Sequence, residues 1–173
     1  TLLSIGMVFV LVDLLRDPKS LRRLVLVIMA AAGTQALIAL VLYAMPDATA
    51  ERTLIRLARI GYPNGGVIRY IEDNPEMPER AIGTWVDPNA FGGFLVVTAA
   101  MIAPQVFARK PVLRWRWLAW IVLGIVGAAL LLTYSRASLL AIGLCIVFIG
   151  LFRGYRKFLL LAAAGFVIML IIP

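Results

Sequence analysis

Histidine is missing altogether from these 173 residues, and cysteine occurs once, as Cys145. Together the two shortages exclude a disulfide within the chain and any cysteine–histidine metal site, leaving Cys145 as a packed thiol inside an apolar block. Acids are scarce as well: nine against seventeen lysines and arginines, with 15% of the chain charged. A soluble domain runs nearer about 25% charged and about 45–50% apolar, whereas 62% of this chain is hydrophobic. There is no charged-then-apolar start leading to a small-residue cleavage site, so no signal peptide is expected. No internal repeat or low-complexity tract is present either. What is abundant is apolar sequence in blocks long enough to cross a bilayer, for which about 17–25 residues are needed. The composition is that of an integral membrane protein. Because residue 1 is Thr1 and the end at Pro173 is still apolar, the sequence reads as a piece of a longer chain.

The apolar blocks fall at residues 2–15, 24–44, 90–108, 117–132, 137–152 and 158–172, which predicts an all-α, polytopic transmembrane bundle of about six spans forming one domain. Three short connections, 16–23, 109–116 and 153–157, hold eleven of the seventeen basic residues. They alternate with the other connections, so the positive-inside rule places them in the cytoplasm and orients every span consistently. The net charge of +8 is thereby read as topology rather than as nucleic-acid binding. The long loop 45–89 and the polar turn 133–138 then fall outside.

The long loop reverses the charge balance, with five arginines against seven acids. Within it residues 49–60 are amphipathic, Arg52, Arg56 and Arg59 recurring at helical spacing with Leu54, Leu57 and Ala58 on another face, which predicts a helix resting in the head-group layer. Residues 61–66 are a turn cluster and residues 67–71 a short extended run; Pro75 and Pro78 keep the approach to Arg80 extended. The loop then passes from Arg80 into Asp87-Pro88-Asn89 and an apolar helix. Pro88 suits the first helical position, and Asp87 is held out of the helical region and can cap. Free N–H groups and the helix dipole at such a start attract a phosphate, with Arg80 beside it. The same residues also describe a well-capped membrane helix with a solvated arginine upstream.

The second polar cluster is Thr133-Tyr134-Ser135-Arg136-Ala137-Ser138, between two blocks of sixteen residues each. Sixteen residues reach about 24 Å at about 1.5 Å per residue, short of a hydrocarbon core of about 30 Å, so Arg136 sits near or below the head groups. An arginine there is either a functional group or a chain snorkelling to lipid phosphate. Ser135 or Thr133 can cap the helix that follows.

Two of these stretches carry a resemblance to a known family. Residues 80–91, R-A-I-G-T-W-V-D-P-N-A-F, are similar to the R-x-x-G-T-x-x-x-P-N-x-x pattern of the O-antigen ligase and polysaccharide polymerase superfamily of bacterial inner-membrane glycosyltransferases. Residues 132–138, L-T-Y-S-R-A-S, are similar to its S-R-G or S-R-A turn. Their order, and their separation by two spans and a basic loop, match as well. The resemblance implies a membrane glycosyltransferase that moves a glycan from a polyprenyl-diphosphate carrier to a lipid or polysaccharide acceptor at the outer face of the bacterial inner membrane. It implies Arg80 and Arg136 as the catalytic residues holding the diphosphate, with Gly83, Thr84, Pro88, Asn89 and Ser135 around the substrate. One departure stands out: the family's ligases carry a histidine in a large outer loop, and this chain has none.

Arginine forks and helix N-termini suit negative charge that grows on a departing diphosphate. The acids Glu72, Asp73, Glu76 and Glu79 lie on a proline-broken strand, which disfavours a metal site, so neither metal nor cofactor is expected. The implied partners are the polyprenyl-diphosphate-linked glycan, its acceptor and membrane lipids, without nucleic acid. Two other classes fit the composition: a transporter or flippase for a lipid-linked or anionic substrate, and a non-catalytic membrane subunit. A carrier places polar or broken helices near the midplane; the spans here offer Thr34, Gln35, Thr98 and Gln105.

Overall fold

Asp17 and Pro18 begin helix α1 (Pro18–Tyr43). Asp17 is extended and its carboxylate accepts hydrogen bonds from the N–H groups of Lys19 and Ser20, each at 3.2 Å. Pro18 follows where no N–H is required. The computed structural model describes residues 17–107 and 116–153, with isolated positions 6, 9, 10, 12 and 13. Most of the apolar block 2–15, the block 158–172 and most of the basic stretches 109–116 and 153–157 lie outside them.

Against the expected span 24–44, α1 starts six residues early. Hydropathy drops at Lys19, Arg22 and Arg23, yet these are good helix formers; charge ends an apolar block without ending a helix. After α1 come α2 (Asp47–Ile55), continued by a 3₁₀ turn over Arg56–Ile60, and a two-residue antiparallel ladder. In this ladder β1 (Arg69–Tyr70) meets β2 (Glu79–Arg80), with Arg69 opposite Arg80 and Tyr70 opposite Glu79. Three apolar helices follow: α3 (Pro88–Phe107), α4 (Arg116–Leu132) and α5 (Arg136–Arg153). The chain is mostly helical. Two of its helices, α1 and residues Pro88–Val106 of α3, are long and apolar enough to cross a membrane, while α4 and the start of α5 are shorter apolar helices.

Helix α4 packs on both α1 and α3, which also touch each other, whereas α5 leaves its sequence neighbour and packs chiefly on α3. The shared core holds Met29, Phe91, Leu95, Ile102, Val126 and Leu130. Four of the seven buried residues of α1 are small, Ala32, Gly33, Ala36 and Ala39, which lets neighbouring backbones come close where large side chains would hold them apart. Less than half of the most apolar stretch of α1 or α3 is buried, and Val27, Leu37, Val41, Val97 and Leu144 stand exposed. An apolar surface on this scale has no favourable contact with water.

The amphipathic helix turns the opposite way from the sequence expectation. Its apolar residues Ala50 and Leu54, 0% and 2% exposed, pack with Leu42, Val67 and Ile82 in a second cluster under the loop, joined by Ile38, Met45 and Leu57. The loop has a core of its own, and hydrophobic spacing cannot distinguish such a core from lipid.

Candidate anion site at the mouths of α3 and α5

Each helix mouth is built by its own short sequence. At α3, the Asp87 side chain accepts from Asn89 N–H at 2.9 Å and the Asp87 carbonyl from Phe91 N–H at 3.0 Å, with Pro88 in the first helical position. At α5, Tyr134 takes a left-handed φ of +49° to turn the chain sharply. Ser135 then caps: its hydroxyl accepts from Ser138 N–H at 3.4 Å and its carbonyl from Leu139 N–H at 3.0 Å. Thr133 Oγ1 donates to the Leu130 carbonyl at 2.7 Å and accepts from Ser135 N–H at 3.3 Å.

Arg80 ties the two mouths together. Its Nε donates to the Thr133 carbonyl at 2.8 Å and its Nη2 to Asn89 Oδ1 at 2.9 Å, while the next residue, Ala81, donates its N–H to the Leu132 carbonyl at 2.8 Å. Guanidinium carries five N–H groups; two are committed to these acceptors, and Arg80 also faces a cleft of about 320 Å³ lined by Ile71, Glu72, Arg80, Asn89, Tyr134, Arg136 and Ala137. Burial pulls the Arg80 pKa down and the Asp87 and Asp73 carboxylates pull it back, and guanidinium stays charged throughout. Arg136, exposed at the first position of α5, is the second cation of the cleft. Glu72 is its one carboxylate, held with Asp73 in left-handed backbone at φ +56° and +55°. Such conformations cost about 1–3 kcal/mol each and persist only where the surroundings impose them.

Sequence reasoning missed Gly92. A Cβ there would lie 2.5 Å from Ser138 Oγ and 3.0 Å from Ser138 Cβ, with Ser135 Cβ at 3.4 Å. The absence of a side chain is what lets α5 begin directly against the first turn of α3. Ser135 and Ser138, both buried, bond each other at 2.9 Å in that contact. The Gly92-Gly93 pair in the first turns of an apolar helix was the available signal, since glycine inside a helix needs a packing reason.

The residues named from sequence divide accordingly. Arg80, Asn89 and Arg136 line the cleft; Pro88 and Ser135 shape the two helix mouths behind it. Gly83 and Thr84 face α1 instead: Thr84 Oγ1 donates to Gln35 Oε1 at 3.0 Å, and a Cβ on Gly83, whose φ is +58°, would sit 3.4 Å from the Gln35 carbonyl and side chain. Their place is the seam that moors the loop on α1. The polar Gln35 of an apolar span is accounted for by the same bond. Among the described residues no group of three or more histidine, cysteine or acidic side chains is arranged to hold a metal ion, and no buried side-chain nitrogen or oxygen lacks a hydrogen-bond partner.

On β2, beside Arg80, Glu79 has its pKa pushed up to about 7, by burial first and by the Asp47 carboxylate second. A carboxyl raised in the folded state favours folding fully below its unfolded pKa of about 4.3 and loses that contribution as pH rises to about 7. Glu79→Gln is therefore expected to raise the melting temperature at pH 8 and to change it little at pH 4. Equal shifts at both pH values would show that the carboxyl does not titrate in this range.

Comparison with known proteins gives no match: no family, curated protein or solved structure matches the chain.

Proposed function

We propose that this chain belongs to a multi-span membrane glycosyltransferase of the O-antigen ligase or polymerase type, in which the cleft holds the diphosphate of a polyprenyl-linked glycan. The observation that carries the reading is that Arg80 and Arg136, far apart in sequence, line one cleft at two helix mouths. Asn89 and the Thr133 carbonyl hold the Arg80 fork in place, so a donor stands ready before charge develops. When the sugar–oxygen bond breaks, the electron pair stays on the diphosphate oxygen, and the two guanidinium groups stabilise the added charge without losing a proton. That step asks for no metal, and it leaves the acceptor's proton to a base not assigned among these residues.

The test is binding of a polyprenyl diphosphate to the purified chain in detergent with a chelator present, against the matching monophosphate. Preference for the diphosphate, lost in Arg136→Ala, is the expected result; equal binding of both, or an unaffected variant, would remove the carrier from the cleft. The reading also places the loop 45–89 on the outer face, through the basic residues of the connections. In a Cys145→Ala background, a cysteine at the exposed Asn64 should react with a membrane-impermeant thiol reagent from outside the cell, and one at Pro111 should not. Labelling at Pro111 in intact cells would invert the orientation.

A further inference from the structure

The arginines of the 3₁₀ turn are not used by the cleft. Three residues separate α2 from the end of α1, and its buried face rests on Ile38 and Leu42 of the last turns of α1. At about 1.5 Å per residue the 26 residues of α1 reach about 39 Å, more than the hydrocarbon core of about 30 Å. The outer end of α1, and α2 with it, therefore stands at head-group level. Past Ile55 the helix tightens to 3₁₀, in which side chains three apart eclipse. Arg56 and Arg59 are three apart, and together with Ile55 they line a pocket of about 360 Å³. Arg52 lies one α-turn earlier and is exposed, and Ile60, at 82%, is more exposed than any other large hydrophobic side chain among the described residues.

The charge on this face is uncompensated by its own element. Both acids of α2 are engaged elsewhere: Glu51 Oε1 accepts from Gly66 N–H at 2.9 Å, and Asp47 Oδ2 accepts from the Tyr70 hydroxyl. That leaves Arg52, Arg56 and Arg59 pointing away from the loop core beside an uncovered isoleucine. An arginine fork grips phosphate oxygens in pairs, and arginines with an exposed aliphatic side chain at head-group level are what an anionic lipid surface binds. We infer that Arg56 and Arg59 form a docking site for the phosphate of an anionic membrane lipid, with Ile60 set among the uppermost acyl-chain carbons and Arg52 adding charge. The inference rests on α1 being a membrane helix and is independent of what the cleft binds.

The experiment uses the whole chain carrying Cys145→Ala and Ile60→Cys, labelled with an environment-sensitive fluorophore in detergent and reconstituted into vesicles. One set is pure phosphatidylcholine; the other contains increasing brominated phosphatidylglycerol, and a third carries the same bromine on phosphatidylcholine. Quenching by brominated phosphatidylglycerol at mole fractions where brominated phosphatidylcholine has no effect is the expected result, and 10 mM inorganic phosphate should not reverse it. Each arginine near an anionic surface contributes about fivefold, so the Arg56→Gln/Arg59→Gln double variant should need about twenty-five-fold more phosphatidylglycerol for half-maximal quenching. Equal quenching by both lipids, or an unchanged double variant with an unchanged melting temperature, would overturn the site. Reversal by inorganic phosphate would overturn it too, by showing a soluble-anion pocket. Failure of the labelled chain to float with either kind of vesicle would instead overturn the membrane reading on which the site rests.

Discussion

Glycan transfer, the activity proposed for the cleft, is expected to fall about a hundredfold to a thousandfold in Arg80→Ala, because one preorganised donor to the growing charge contributes about 2.7–4 kcal/mol in the transition state. The same substitution also unties the molecule. Removing the guanidinium leaves the Thr133 carbonyl and Asn89 Oδ1 without the donor each now has, and hydrogen bonds to a charged group contribute about 1.5–3 kcal/mol each. Folded protein should therefore fall with activity in Arg80→Ala. Arg136 is exposed on the opposite wall, so Arg136→Ala should lose a similar factor in transfer with little change in abundance. Lysine keeps the charge but lacks the fork, and a lysine at position 80 cannot reach two protein acceptors while facing the cleft in the same geometry. Since both arginines would act on one diphosphate, the double alanine variant should lose less than the product of the single losses. The measurement is glycan transfer from a polyprenyl-diphosphate donor, with chelator present and activity expressed per folded molecule. Near-wild-type transfer by either single variant would reduce that arginine to a structural or surface charge.

Gly92→Ala is the substitution expected to damage the architecture most for the fewest atoms added. The new methyl group meets Ser138 at 2.5 and 3.0 Å, and over-packing of this kind costs about 1–3 kcal/mol. Strain at that contact pushes the start of α5 away from α3, widening the cleft between Arg136 and Arg80, so diphosphate binding should weaken along with stability. Gly93→Ala is the matched control. Nothing lies within 4 Å of a Cβ at Gly93, so there alanine should stabilise the helix by about 0.5–1 kcal/mol through its better propensity. Adding Ser138→Ala to Gly92→Ala removes the 2.5 Å contact but keeps the 3.0 Å one, and should restore part of the loss. Thermal unfolding of the three variants decides the matter: if Gly92→Ala melts like Gly93→Ala, the two helices do not meet closely at Gly92.

What could be read from sequence was local. Asp87-Pro88 and Ser135 announce helix starts because a cap acts within three residues, and both caps form where expected. The blocks 90–108, 117–132 and 137–152 are helices to within two residues at each end, because a run of that length and hydrophobicity leaves the backbone little alternative to internal hydrogen bonding. Features set by contacts between distant segments stayed hidden. The β1–β2 ladder has two residues per strand, too few for an alternating pattern to register. Whether Ala50 and Leu54 face lipid or protein depends on Val67 and Ile82, which follow from no spacing rule. Gly83 and Thr84 sit inside a motif beside Arg80, yet a left-handed glycine turns the chain toward Gln35 of α1. The resemblance groups them with Arg80, whereas the fold places them against α1.

The bond from Arg80 to Thr133 spans 53 residues, and it bears on how the molecule is made. During synthesis the loop emerges long before its anchor: α3 and α4 must be made, and the chain must pass residue 133, before Arg80 can find the carbonyl that fixes it. Until then the loop retains its own small core of Leu42, Ala50, Leu54, Val67 and Ile82, complete without any later helix. Contacts so distant along the chain form late, after loop closure has been overcome. Chain order therefore lets the loop's scaffold form before the helix bundle is complete, and the paired arginines can meet only last. A nascent chain halted before residue 133 would carry the framework of the site with its two cations still apart.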